Sequence, residues 1–256
     1  LKNKRRLSQL TWSSIKAAFT EPTMEDWLEK FYPQFKGIPV TNCLHHQSHA
    51  VAGMSTAPQD WRDAVIVTID AIGEKQTATI STWEKGQRVM LRHEVNFPNS
   101  LGLFYSAVTS AIGLKPMEDE YILMGMAAYG NPVYKTKMET HLFDYPIDDM
   151  HKCLHTVDMS KGLPKSFMSE EALQDEQVQF DLAASAQAVV EERIMQYCRL
   201  AFKYSGSQNL VYQGGVALNC VANSMLYDIY KNIWVMPNPG DAGSSLGAAA
   251  LYYYES

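Results

Sequence analysis

The pattern of hydrophobic and polar positions changes character along this chain. Ala64-Val-Ile-Val-Thr-Ile-Asp70 is an apolar, β-branched run that ends in a carboxylate, the pattern of a buried central strand. Two period-two stretches, Gln76 to Trp83 and Arg88 to Val95, flank Lys85-Gly86, which suits a hairpin turn; three consecutive antiparallel strands are therefore predicted. Upstream, Met24 to Phe31 has helical spacing, and Ile38 to Leu44 is a short apolar run read as a strand. From Ser100 the spacing turns helical, with Leu101 to Ile112 and Tyr121 to Tyr129 as helices. Residues 131–176 are mixed, polar and proline-bearing, and read as a surface excursion. A long amphipathic helix, Phe180 to Tyr204, then leads into strand Asn209 to Tyr212, helix Ala217 to Tyr230, strand Ile233 to Met236 and helix Ala242 to Tyr253. The second half thus alternates, and the fold class is α/β.

Composition narrows the function classes. The chain has 256 residues, 46% hydrophobic and 20% charged, which gives a folded domain a sizeable core and argues against disorder. A formal charge of −6 disfavours a nucleic-acid backbone as partner, since that binding draws on clustered Lys and Arg. No apolar run approaches the roughly 18 residues of a membrane-spanning helix. The chain begins at Leu1, and Lys2, Lys4, Arg5 and Arg6 precede no apolar signal core, so the start reads as cut from something longer. Cys43, Cys153, Cys198 and Cys220 are widely spaced with no CxxC pair; reduced thiols in a cytoplasm fit best.

Three constellations carry chemical meaning. In Leu44-His45-His46-Gln47-Ser48-His49-Ala50, His45 and His49 fall one turn apart on a helix, close enough to share a metal ion, while His46 points elsewhere. The zinc-protease signature would need Glu at position 46, which disfavours a metalloprotease; two unrelated helix-surface histidines are the bland alternative. The second is Thr68-Ile69-Asp70-Ala71-Ile72-Gly73-Glu74, where a strand runs into a small-residue turn bearing two carboxylates. Such a placement suits metal or phosphate work, although Asp-x-x-Gly is also ordinary turn chemistry. The third pairs Tyr212-Gln213-Gly214-Gly215-Val216-Ala217-Leu218-Asn219 with Pro237-Asn238-Pro239-Gly240-Asp241-Ala242-Gly243. Each is a strand, a glycine loop and a helix start, the geometry that accepts an anion, and two in succession suggest a nucleotide cleft. Neither loop is a Walker or GxGxxG loop.

These residues, with Pro98-x-Ser100-Leu101-Gly102-x-x-Tyr105, Lys115-Pro116-x-x-Asp119-Glu120-Tyr121 and Met124-Gly125-x-Ala127-Ala128-Tyr129-Gly130, resemble the NodU/CmcH family of O-carbamoyltransferases over about residues 38–254. The resemblance implies an actin/Hsp70/sugar-kinase-like (ASKHA) transferase domain of mixed sheets and flanking helices, with a cleft between two subdomains. It implies transfer of a carbamoyl group from carbamoyl-adenylate, made from carbamoyl phosphate and ATP by a YrdC-like domain, to a hydroxyl of a sugar, antibiotic or similar small molecule. By position it places metal ligands on His45, His49 and Asp241, and an aspartate beside the metal on Asp70. It sets the adenine-nucleotide grip on Gly214, Gly215 and Asn219, with Gly243 flanking it, and makes Glu74, Asp119 and Glu120 ribose or carbamoyl contacts. A divalent metal is implied, iron first, with manganese or zinc as alternatives; the donor types suit all three. The general base falls on Asp70, His46 or a histidine of an N-terminal strand outside this sequence. The implied organisation is residues 1–37 as a helical remnant of the first subdomain, 38–130 as the metal-binding and hairpin part, 131–176 as the excursion and 177–256 as the nucleotide-binding part. A homodimer is compatible with it.

Two departures stand out. The family's usual Gly after the aspartate is Ala71 here, which would be strained if that turn needed a positive φ, and Ile122 replaces a lysine that could meet a phosphate. Two rival readings follow: an ATP-dependent kinase or hydrolase on the same fold, and a degenerate nucleotide- or metal-binding module.

Overall fold

The computed structural model describes residues 24–255. Its contacts divide the chain into two units, Leu1–Cys43 and Leu44–Ser256, so the expected segments 38–130, 131–176 and 177–256 share one body from Leu44 onward. In the first unit, α1 (Met24–Phe31) and a 3-10 turn (Pro33–Phe35) present Trp27, Phe31, Tyr32 and Phe35 as exposed rings. The strand expected over Ile38 to Leu44 does not form: Pro39 lacks a ladder donor, and the stretch is irregular and mostly exposed.

The second unit opens with α2 (His45–Thr56), followed by β1 (Asp63–Ile69), β2 (Gln76–Glu84) and β3 (Met90–Asn96). β1 pairs antiparallel with β2 and β2 with β3, as the alternation predicted. After the helices α3 (Leu101–Ala111), α4 (Glu120–Met126), α5 (Lys135–Leu142) and α6 (Glu176–Ser205), the chain adds β4 (Asn209–Gln213) parallel to β1, then a short α7 (Cys220–Ser224), β5 (Asn232–Trp234) parallel to β4, and α8 (Asp241–Glu255). The sheet order is β3-β2-β1-β4-β5, a mixed sheet with β1 at its centre.

Because β1 alternates, its two faces serve two cores. Val65, Val67 and Ile69 join the large cluster built with α3 and α6, including Phe104, Val108, Val189 and Tyr197. Ala64 and Ile66 join Ala50, Ala57 and Val211 on the face covered by α2. A strand buried on both sides reads as a continuous apolar run, which is why it was visible in the sequence. α6 starts at Glu176, earlier than its apolar spacing suggested, because Asp175 accepts hydrogen bonds from Gln177 N and Val178 N; it ends at Gly206, in the left-handed conformation.

Two expectations need correction. Residues 131–176 do not ride on the surface: Met138, Leu142, Phe143, Cys153, Leu154, Met159 and Phe167 are buried in the large core. Buried Arg193 of α6 donates to the Tyr145 and Cys153 carbonyls and fastens the segment there. The helix expected over Ala217 to Tyr230 is three short turns, Gly215–Leu218, Cys220–Ser224 and Met225–Asp228. Asn219 leaves helical geometry (φ −75°, ψ 85°) and uses its side chain to cap Ala222 N instead.

Candidate metal centre

α2 carries His45 and His49 on one face, and their Nε2 atoms are 3.1 Å apart. Asp70, one residue past β1, brings Oδ2 to 3.0 Å from His45 Nε2 and 3.2 Å from His49 Nε2. Asp241, the first residue of α8, adds Oδ1 at 3.4 and 3.3 Å from the same nitrogens. The four ligand atoms all lie within 4.8 Å of one another. Close helix packing makes the convergence. A Cβ on Gly53 of α2 would fall 2.6 Å from Val211 Cγ1 of β4, and one on Gly247 of α8 would fall 1.7 Å from the Ser48 carbonyl oxygen. α2 is thus pressed onto the sheet and α8 onto α2, which holds Asp241 over the histidine pair.

The donor set fits a divalent cation. Two imidazole nitrogens and two carboxylate oxygens spaced this way leave room for an ion about 2 Å from each, the ordinary bond length from such metals to these ligands. Histidine with carboxylate oxygen suits iron, manganese or zinc over a closed thiolate site. His49 and Asp70 are buried, whereas Asp241 is exposed, so the set faces solvent on one side. Burial works against the Asp70 charge, but hydrogen bonds with His45 and His49 outweigh it and hold the carboxyl well below the usual carboxylate range. The Asp70 hydrogen bond raises His45 in turn, against burial. Asp241, though exposed, is pushed up by partial desolvation against the cluster and by the Asp70 charge. A cation would relieve the crowding of the two carboxylates.

Asp70 serves two neighbours. Its Oδ1 accepts from Ala71 N at 2.8 Å and from Gly215 N at 3.3 Å, leaving Oδ2 to the histidines. The aspartate expected beside the metal therefore sits in the ligand cluster, with both oxygens engaged. His46 is also committed: 2% exposed, it places Nδ1 3.3 Å from Thr79 Oγ1, and burial lowers its pKa to about 4. Both residues expected to act as general base are buried, Asp70 at 7% and His46 at 2% exposed, and of the two Asp70 borders the cleft. Ala71 carries no left-handed strain, because Met117 is the one non-glycine residue with positive φ among those described.

A cleft of about 250 Å³ opens beside Asp70, walled by Leu101, Tyr105, Met124, Val190 and Val216, with Tyr121 and Leu218 toward its exposed mouth. Glu120 reaches it while accepting from Ser106 Oγ and Met117 N; Asp119 accepts from Lys115 N; Ile122 does not line it. Among the described residues no lysine, arginine or histidine lines the cleft. The glycine loop takes its place as architecture. Gly214 has φ 90° with Ile69 O where a Cβ would stand, Gly215 spends its N–H on Asp70, and Gly243 packs against Asn238 O. Asn219 lines the cleft but exchanges hydrogen bonds with Gln187, which also receives the Tyr105 hydroxyl. Glu74 lies outside the cleft and accepts the His45 N–H. Tyr105 and Gln187 were not singled out as site residues from the sequence; their partnership spans 82 positions and leaves no local signal.

A family model described as the carbamoyltransferase N-terminus matches residues 28–250. An uncharacterized protein of Synechocystis sp., sll1178, is 36% identical over 82% of this chain and 36% of its own length. Nodulation protein NolO of Bradyrhizobium diazoefficiens is 30% identical over 81% of this chain and 37% of its own. The chain thus spans little more than a third of the length of these curated relatives. A solved structure of full-length HypF in the phosphate- and nucleotide-bound form is a remote likeness, at 12% identity and TM-score 0.47 over 91% of this chain and 38% of that one. With the family model covering nearly the whole of the described chain, this protein belongs to the carbamoyltransferase N-terminal domain family.

Proposed function

We propose that this chain carries the transfer step of an O-carbamoyltransferase, in which carbamoyl-adenylate, made from carbamoyl phosphate and ATP by a YrdC-like domain, gives its carbamoyl group to a hydroxyl of a small-molecule acceptor. The observation that carries the reading is the convergence of His45, His49, Asp70 and Asp241 next to an apolar cleft. A bound divalent ion would supply Lewis acidity at the carbamoyl oxygen. The chain's own residues prepare that place. His45 and His49 turn their Nε2 atoms toward one another and toward the carboxylates, Asp70 stays ionised between the imidazoles and two backbone N–H groups, and Asp241 closes the set from the solvent side. Leu101, Val190 and Val216 give the adjoining cleft an apolar wall, which would slow hydrolysis of an activated carbamoyl group lying against it.

The cleft lining also favours carbamoyl over phosphoryl transfer. Phosphoryl transfer leans on cations that neutralise charge on the moving group, and among the described residues the lining offers Asp70, Glu118 and Glu120 but no lysine or arginine.

Metal content and carbamoyl transfer, measured together on the full-length protein and its Asp241→Ala variant, test the reading. A fall of bound metal by roughly tenfold or more, with transfer falling alongside, is expected. Undiminished metal and rate would overturn it, and phosphate appearing on the acceptor would make the protein a kinase.

A further inference from the structure

The first turn of α2 lacks a cap of its own. Leu44, the N-cap residue, is extended (φ −71°, ψ 140°) and has no side-chain oxygen to receive the free N–H groups that begin every helix. The acceptor comes from 29 positions away. Both carboxylate oxygens of Glu74 meet His45 N, at 3.2 and 3.1 Å. Glu74 stands in the turn between β1 and β2, four residues after Asp70, and that turn is closed by Asp70 N to Thr77 O and Gly73 N to Gln76 O, both 2.8 Å. The turn also lies directly on the helix: a Cβ at Gly73 would be 3.1 Å from His45 Cβ and from the Cδ2 atoms of His45 and His46.

We infer that Glu74 is a positioning residue of the metal centre, tying the helix that carries His45 to the turn that carries Asp70 and so fixing the spacing between ligands from two different elements. It acts through the His45 backbone, and a negative charge there also complements the helix dipole. The inference rests on the reading of His45, His49, Asp70 and Asp241 as metal ligands. Groups that orient ligands in this way typically change metal affinity by about 10- to 100-fold when removed.

The test is Co²⁺ titration of the full chain after chelator treatment, followed by the visible ligand-field spectrum and by calorimetry. Glu74→Ala is expected to weaken Co²⁺ binding by about 10- to 100-fold and to change the spectrum, while Glu74→Gln, whose amide oxygen still reaches His45 N, stays within about threefold of the parent with its spectrum unchanged. Asp175→Ala, which removes the cap of α6, controls for general loss of stability: it lowers the melting temperature without moving Co²⁺ affinity. Parent-like affinity in Glu74→Ala overturns the inference, as does a Glu74→Gln variant as weak as Glu74→Ala, which would make the charge itself a ligand or contact. Absence of Co²⁺ binding in the parent protein removes the metal reading itself, and is seen in that arm alone.

Discussion

Gly247 of α8 and Ser48 of α2 meet backbone to backbone, so close that a Cβ on the glycine would stand 1.7 Å from the serine carbonyl oxygen. This contact sets the height of Asp241 over the histidine pair. Gly247→Ala is expected to push the helices apart, costing about 1–3 kcal/mol of stability despite the better helix propensity of alanine, and to weaken metal binding at the same time. Thermal unfolding of metal-free protein and a metal titration, run on the same variant, check both effects.

The two carboxylates of the centre should separate in a stability measurement. Asp70 satisfies Ala71 N and Gly215 N within the fold, so Asp70→Ala leaves two N–H groups without that partner and costs about 1–3 kcal/mol for each. Asp241 is exposed, and Asp241→Ala changes the metal-free protein by no more than about 0.5 kcal/mol. Urea unfolding in the presence of a chelator distinguishes them; both variants lose metal.

A histidine remote from the centre should govern part of the acid response. His93 of β3 shares a hydrogen bond between its Nδ1 and the buried Tyr197 hydroxyl of α6, 3.2 Å away, and burial, then the neighbouring His151 and His155, hold its pKa below the ordinary 6.5. The unfolded chain therefore takes up this proton first. Stability from His93 is complete above pH 6.5, declines as pH falls through that value, and is lost once pH passes below its folded pKa. His93→Gln should flatten this part of the stability-versus-pH curve, measured by denaturant unfolding at stepped pH.

The four thiols should divide by burial. Cys153 and Cys198 are inside the core, where burial pushes the Cys153 thiol up to about 12, whereas Cys220 is exposed and Cys43 half-buried. Two thiols are expected to react with a disulfide reagent in native protein and four after denaturation; fast labelling of all four would contradict the packing of residues 131–176 against α6.

Much of this was legible where the signal is local. The β-branched run of β1, the hairpin that follows and the i, i+4 pair His45/His49 each declare themselves within a dozen residues. Asp241 came from resemblance, since no local pattern relates it to a helix at the other end of the unit. What escaped depends on distant partners. Asn219 interrupts an apparently helical stretch because its amide is needed by Ala222 N and Gln187. The apolar residues of 131–176 are irregularly spaced, since they fill gaps in an existing core instead of forming one face. Gly53 and Gly247 look like ordinary helix-weakening glycines until their neighbours from β4 and α2 are known.

The four candidate ligands come from the opening helix of the second unit, the end of its central strand and its closing helix. A cation held there would act as a cross-link across almost the entire unit, bridging segments that in an unfolded chain wander independently. Loading and folding then become linked equilibria, so that removing the ion should expose both extremities of the unit to a protease together, and restoring it should shield them together.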